Sequence, residues 1–304
     1  MKCIVAVPNA RGFALRRLCV LALLCLLLPT LSACAWLADK QSTLALRPTP
    51  GRPAGLPPDA HMFRPQDERF TLPQATPGQT APDQVALWWL PHTDPQAPTL
   101  LYLHGTFFNL YRNLPKINAL RDAGFSVLAV DYRGWGDSTP IVPTEATIDA
   151  DARLAWAELQ RRQPVPGRRV IFGHSMGGAV AVTLASSLRH RDDYAALVLE
   201  STFTRLPDVA ATAGFWGRVL AGLTTLDFNS AAKIGRVDAP ILMLHGDADR
   251  TVPIILGRRL RDAAKPGVRW VELPGGSHSR LHSDAPEVYR RSFTDLIEVV
   301  RPKP

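Results

Sequence analysis

Val170-Ile171-Phe172-Gly173-His174-Ser175-Met176-Gly177-Gly178 is an apolar, β-branched run that ends in Gly-His-Ser-Met-Gly and passes at once into Ala179-Val180-Ala181-Val182-Thr183-Leu184-Ala185. The first part has the length of a buried strand and the last can continue as a buried helix, so the pattern is strand, very tight turn, helix. So tight a turn forces Ser175 into a strained backbone conformation and needs small neighbours two residues to either side. Gly173 and Gly177 meet that need. Ser175 would then project its hydroxyl above the sheet, with the Met176 amide at the helix start facing the same point. A G-x-S-x-G string alone also reads as a glycine-rich surface turn, and it is the flanking strand and helix that argue against this.

Upstream, Glu68–Leu72 and Val85–Leu90 read as two early strands separated by turn residues. Thr99–Leu103 is a continuous apolar strand ending in His104-Gly105-Thr106, and helical spacing follows through Leu114, Ile117, Leu120 and Arg121 to a capping Gly124. Ser126–Val130 is the next strand, followed by Asp131-Tyr132-Arg133-Gly134-Trp135-Gly136-Asp137-Ser138 and an amphipathic helix from about Thr147 to Arg162. After the Ser175 turn come strands at Ala196–Leu199, Ile241–Leu244 and Val268–Leu273, with helices near Ile254–Ala264 and Pro286–Val300. Unbroken apolar strands alternating with helices predict an α/β fold: a mostly parallel sheet of about eight strands, covered on both faces. In such sheets the chemistry gathers at the carboxyl ends of the strands, where each of these polar motifs begins.

Two further motifs complete a constellation. His245-Gly246-Asp247-Ala248-Asp249-Arg250-Thr251-Val252-Pro253 follows one strand, and Pro274-Gly275-Gly276-Ser277-His278-Ser279 follows the last. In order, spacing and strand context the chain resembles the α/β-hydrolase superfamily from about Phe70 to Val300, and within it the lid-poor bacterial serine hydrolases related to acylglycerol lipases and α/β-hydrolase-domain proteins. The resemblance implies a triad of Ser175, Asp249 and His278, running serine, acid, histidine along the chain. It also implies an oxyanion hole from the backbone amides of Met176 and Thr106. These residue types suit such chemistry. A serine hydroxyl is a poor nucleophile until a base takes its proton, neutral imidazole does so near pH 7, and an aspartate fixes the imidazole tautomer. Asp247 and Glu200 compete for the acid's place, Asp247 being better suited to shaping its turn. His174 and His104 read as structural, and Asp131, Arg133 and Asp137 as loop residues bonded to neighbouring turns. His282, four residues after His278, would suggest a metal only with a third ligand and a paired motif, and neither is present. No cofactor fingerprint appears, so no cofactor and no metal is expected.

Between Glu200 and Asp238, where relatives insert a lid, lie Phe203, Leu206, Phe215, Trp216, Val219, Leu220, Leu223, Leu226 and Phe228. They read either as an apolar rim for an acyl chain or as residues packed on the sheet. An apolar mouth, with Phe107 and Phe108 beside Thr106, favours a small-molecule or lipid ester, or a thioester, over a peptide. The alternatives are a peptidase or amidase on the same triad and a non-catalytic binding lipoprotein.

At 304 residues and 46% hydrophobic content the chain can bury a large core. Half of its formal charge of +8 comes from Lys2, Arg11, Arg16 and Arg17, in a leader without acidic residues, and the remaining arginines are scattered, which argues against nucleic-acid binding. Leu18–Leu28 is apolar but shorter than the roughly 20 residues of a membrane span, and fits the core of an export signal. Leu31-Ser32-Ala33-Cys34 then resembles a bacterial lipobox, which implies a signal peptide over 1–33 and a lipidated Cys34. Cleavage near Ala33 with a free cysteine and an uncleaved anchor are the competing readings. Cys3, Cys19 and Cys25 would leave with the leader, so no disulfide is expected. Residues 34–65, with Pro48, Pro50, Pro53, Pro57, Pro58 and Pro65, read as a loose tether, and 66–304 as the hydrolase domain. The expected location is the periplasmic side of the envelope, at the outer membrane rather than the inner, since Ala35 replaces the aspartate that retains lipoproteins at the inner one.

Overall fold

The computed structural model describes residues 36–300 apart from Pro77; the expected leader and Cys34 lie outside these residues. Contacts divide the chain into two compact units at Gln41/Ser42. The second is built on one eight-stranded sheet in the order β1-β2-β4-β3-β5-β6-β7-β8. The strands are β1 (Glu68–Gln74), β2 (Asp83–Leu90), β3 (Thr99–Leu103), β4 (Ser126–Asp131), β5 (Arg169–His174), β6 (Ala196–Glu200), β7 (Ile241–Gly246) and β8 (Arg269–Leu273). The β1–β2 and β2–β4 pairs are antiparallel, and β4, β3, β5, β6, β7 and β8 run parallel.

Residues 36–46 are helical (α1), and the later helices are α2 (Asp59–Met62), α3 (Leu110–Asp122), α4 (Glu145–Arg162), α5 (Met176–Ala185), α6 (Leu206–Ala211), α7 (Gly214–Leu223), α8 (Ala231–Ile234), α9 (Ile254–Ala263), α10 (Leu281–Asp284) and α11 (Pro286–Val300). Strand residues alternate between two cores. Leu101, Leu103, Leu128, Val130, Ile171, Leu197, Leu199, Ile241 and Met243 pack with α4, α5 and α9. Leu100, Tyr102, Val127, Ala129, Val170, Phe172, Ala196, Val198, Leu242 and Leu244 pack with α3 and α11. Both faces are buried, so every second residue is apolar on each side and the strands read as unbroken apolar runs.

Helix α4 starts at Glu145, two residues before the expected position, because Thr144 and Thr147 form a capping box: each side chain accepts from the other's amide, at 3.1 and 2.8 Å. Gly124 ends α3 at φ +109°.

The expected tether over 34–65 needs correction from Ser42 onward. Leu46 is fully buried in the core that holds Tyr132 and Trp135. Gly51 N donates to Gly136 O at 2.7 Å, Gly136 N to Thr49 O at 3.0 Å, and the Asn109 amide to the carbonyls of Thr49 and Gly51 at 3.1 and 2.8 Å. Prolines here suit a strap whose backbone groups are met by the domain, a condition composition does not reveal. Farther on, Arg121 of α3 holds the buried Asp67 bidentately at 2.7 and 3.1 Å, which pins the entry to β1.

Candidate active site

Ser175 stands between β5 and α5 with φ +55° and ψ −121°, the strained turn that the motif predicts. Close packing explains the small neighbours. A Cβ on Gly173 would lie 2.2 Å from Gly177 O, and one on Gly177 would lie 2.1 Å from Leu103 O and 2.5 Å from His104 O. Backbone holds the turn on both sides: Ser175 N donates to Glu200 O at 2.9 Å, and Thr202 Oγ1 donates to Ser175 O at 2.8 Å.

The three residues expected to act together are brought together. His278 Nδ1 lies 2.7 Å from Asp249 Oδ2, and His278 Nε2 lies 3.0 Å from Ser175 Oγ. A carboxylate only accepts, so Nδ1 carries the proton and Nε2 is left to accept from the serine hydroxyl. Asp249 Oδ1 also accepts from the amides of Thr251 and Val252 at 2.9 and 2.8 Å. Burial by itself would push the Asp249 carboxyl up, but hydrogen bonds from His245, His278 and the Val252 amide hold it well below the usual carboxylate range. It is therefore an anion at neutral pH. A serine hydroxyl facing a neutral imidazole, backed by a fixed carboxylate, can deliver an alkoxide-like oxygen to an electrophilic carbon.

The other polar residues take separate places. Asp247 Oδ1 accepts from the Gly275 amide at 2.6 Å and so shapes the turn before His278. Glu200, fully buried, pairs with Lys116 of α3 and accepts from the Tyr289 hydroxyl at 2.9 Å. His174 Nε2 donates to His278 O at 3.0 Å, and burial keeps its imidazole well below the ordinary histidine value, hence neutral. His104 Nδ1 donates to Gly105 O at 2.6 Å, with Nε2 3.3 Å from Asp131. Asp131 Oδ1 accepts from the Leu110 amide at 3.0 Å, Arg133 bridges Asp151 and Asp83, both at 2.9 Å, and Asp137 accepts from Tyr111 at 2.7 Å. The His282 ring packs against Tyr289, not alongside His278.

Thr106, in the loop after β3, adjoins the serine: a Cβ on its neighbour Gly105 would be 3.0 Å from Ser175 Cβ. The Trp135 indole, donating to Thr106 O at 3.4 Å, restrains this loop. Met176 is the first residue of α5, so its amide lies outside the helix ladder. The Phe107 ring stands edge-on to His278 with centroids 6.4 Å apart, and Phe108 is 54% exposed. The apolar residues after β6 divide between the two readings. Phe203, Leu226 and Phe228 are core, whereas Phe215 and Val219 of α7 are exposed; the side chains of Trp216, Leu220 and Leu223 lie outside the described ones.

The family model described as Hydrolase_4, serine aminopeptidase S33, matches residues 94–233, a span that contains Ser175 and ends before Asp249 and His278. The uncharacterized protein Rv2307c of Mycobacterium tuberculosis is 38% identical over 194 residues, 63% of this chain and 67% of that protein. The solved esterase Pf2001 of Pyrococcus furiosus shares the fold with a TM-score of 0.63 at 19% identity, over 82% of this chain and 98% of that one. The chain belongs to the α/β-hydrolase superfamily. This hydrolase is also 32% identical over 200 residues to the lysophosphatidylserine lipase ABHD12 of Danio rerio, a match covering 59% of this chain and 50% of that protein.

Sequence reasoning missed Lys116 and Tyr289 as partners of Glu200, Thr202 as a brace on the Ser175 turn, and Asn109 as the hold on the strap. Lys116 lies 84 residues from Glu200 and carries no motif, so only the packing of α3 and α11 on the sheet joins them.

Proposed function

We propose that this hydrolase cleaves carboxylic esters, lipid-derived ones included, through a covalent acyl-enzyme on Ser175. The observation that carries the reading is the unbroken chain from Ser175 Oγ through His278 to Asp249, at 3.0 and 2.7 Å. Ser175 Oγ attacks the ester carbonyl while His278 Nε2 takes its proton, and Asp249 stabilises the imidazolium. The amides of Met176 and Thr106 receive the oxyanion. Loss of one such donor costs about 3 kcal/mol of barrier. Collapse of the tetrahedral intermediate breaks the bond to the leaving alcohol, which takes the proton from His278. Water then attacks the acyl-enzyme with His278 again as base and frees the acid. The presence of an esterase and a lipase among similar proteins supports an ester substrate.

The test is hydrolysis of p-nitrophenyl esters from short to long acyl chain, beside the Ser175→Ala variant and labelling by a fluorophosphonate probe. Turnover and labelling that vanish in the variant are expected. No turnover and no labelling would move the reading to a binding protein. The serine aminopeptidase description of the family model favours a second reading, amide hydrolysis at the same serine. Aminoacyl p-nitroanilides cleaved faster than any ester would establish it.

The location proposed is the bacterial envelope, through lipid on Cys34, on the strength of Leu31-Ser32-Ala33-Cys34 after an apolar run. Cys34→Ala should release the protein from membranes. Retention without any acyl mass would mean an uncleaved anchor.

A further inference from the structure

The strap over residues 46–51 does more than close a gap. Leu46 is sunk in the core, the Pro48 ring lies against the turn at Gly134, 3.3 Å from where a Cβ there would stand, and Thr49 and Gly51 are bonded to Asn109 and Gly136. Between these fixed points Arg47 ends α1, its amide donating to Thr43 O at 3.0 Å, and stands at φ +50°, a left-handed conformation uncommon for a non-glycine residue. The result is a defined direction for its side chain. The guanidinium carbon sits 4.9 Å from the centroid of Phe107, and the Phe107 ring is edge-on to His278, the base that faces Ser175. The cation–π attraction restrains the guanidinium over the ring while its N–H groups keep their capacity to donate.

Other arginines have carboxylate partners: Arg133 pairs with Asp151 and Asp83, Arg52 with Asp59, and Arg280 with Asp284. Arg47 is exposed, and among the described residues no carboxylate lies within ion-pair distance of it. A positive charge held over an aromatic that stands edge-on to the base, with no carboxylate partner among the described residues, is arranged for an external anion.

We propose that Arg47 is a specificity-determining residue at the mouth of the Ser175 site and binds the carboxylate or phosphate of an anionic ester. The inference rests on the ester-hydrolase reading above and deepens it by assigning the charge of the substrate. It also makes the strap part of the working site, so that a protein trimmed to start at Pro57 would lack this determinant.

The test uses the full-length protein in nonionic detergent, with Arg47→Gln and Arg47→Lys variants whose thermal midpoints are measured first. Two matched pairs separate the sources of the anion: mono-p-nitrophenyl glutarate against p-nitrophenyl valerate, and hexanoyl glycerol 3-phosphate against monohexanoyl glycerol. The readout is the ratio of kcat/KM for the anionic member to that for the neutral one. We expect the ratio to fall roughly tenfold in Arg47→Gln, through KM, with most of it restored in Arg47→Lys and the wild-type advantage shrinking as salt is raised. A fall in the carboxylate pair alone or the phosphate pair alone names the group recognised. A ratio unchanged in both pairs overturns the proposal while leaving ester hydrolysis standing. Calorimetric binding of hexyl phosphate and hexanoate to Ser175→Ala, with and without Arg47→Gln, separates the two readings from the other side. Arg47-dependent binding without turnover by the wild type would sink the ester reading and keep the anion site. Equal binding with and without the Arg47→Gln change would sink the anion site.

Discussion

Asp249 and Glu200 follow or end adjacent parallel strands, and both carboxylates are buried, yet their surroundings assign them different roles. Asp249 faces the His278 Nδ1 proton and two amides, whereas Glu200 turns to Lys116 and Tyr289. Asp249→Asn should therefore lower kcat by about four orders of magnitude with the fold intact, because the amide favours the wrong imidazole tautomer. Glu200→Gln removes the counter-charge of a buried lysine while keeping the carbonyl that accepts from Ser175 N. We expect it to cost about 3 to 5 kcal/mol of stability with activity per folded molecule retained, measured by denaturant unfolding beside active-site titration with the fluorophosphonate. A near-normal rate in Asp249→Asn, with collapse in Glu200→Gln, would move the acid to β6. At this scale the sequence distinguished the acids by the surrounding loop alone; the ion pair that engages Glu200 joins residues on separate elements.

The turn between β5 and α5 works as an element because α5 is pressed against the end of β3. That closeness is why Gly177 carries no side chain. Gly177→Ala places a methyl on the carbonyls of Leu103 and His104, which as backbone at the end of a sheet strand cannot retreat. A loss of at least about 1 to 3 kcal/mol is expected, read as a lower thermal midpoint or as insoluble expression. Gly222, inside α7, is the contrast, since a Cβ there meets nothing within 4 Å. Gly222→Ala should leave stability unchanged or raise it by about 0.5 to 1 kcal/mol through helix propensity. Strand and helix positions were legible because alternation and helical spacing are local properties. The fate of Phe203 and Phe228 as core, against Phe215 as exposed helix surface, was not: identical apolar character serves both, and only the path of α6 and α7 after β6 separates them.

Across the whole molecule, buried charge ties together parts far apart in the chain. Arg133 after β4 reaches Asp151 in α4 and Asp83 at the start of β2. Burial pushes Asp151 up to about 6 even with its bonds from Arg133, which is shared with Asp83. An acid whose folded pKa is raised binds more protons in the folded than in the unfolded state between about 4 and 6, so its contribution to stability falls as pH rises through that window. The stability advantage of wild type over Asp151→Asn should therefore be greater at pH 4.5 than at pH 7, as read from denaturant midpoints of both proteins at each pH. An advantage constant across that range would mean that Asp151 is ionised throughout.

The sequence by itself determined the sheet, the order of its strands along the chain and the tight turn at Ser175, while the resemblance of its loop motifs to a known family implied Asp249 and His278 as the partners of that serine. Apolar runs and glycine spacings express the local demands of strand, turn and helix, and the motifs fall where strands end. Tertiary structure alone decided that residues from Ser42 on are a strap rather than a tether, that Arg47 reaches Phe107, and that Lys116, Glu200 and Tyr289 form one buried cluster. Those pairings join positions tens of residues apart through the packing of whole elements, and a proline-rich segment looks the same in sequence whether its carbonyls face water or the side chain of Asn109.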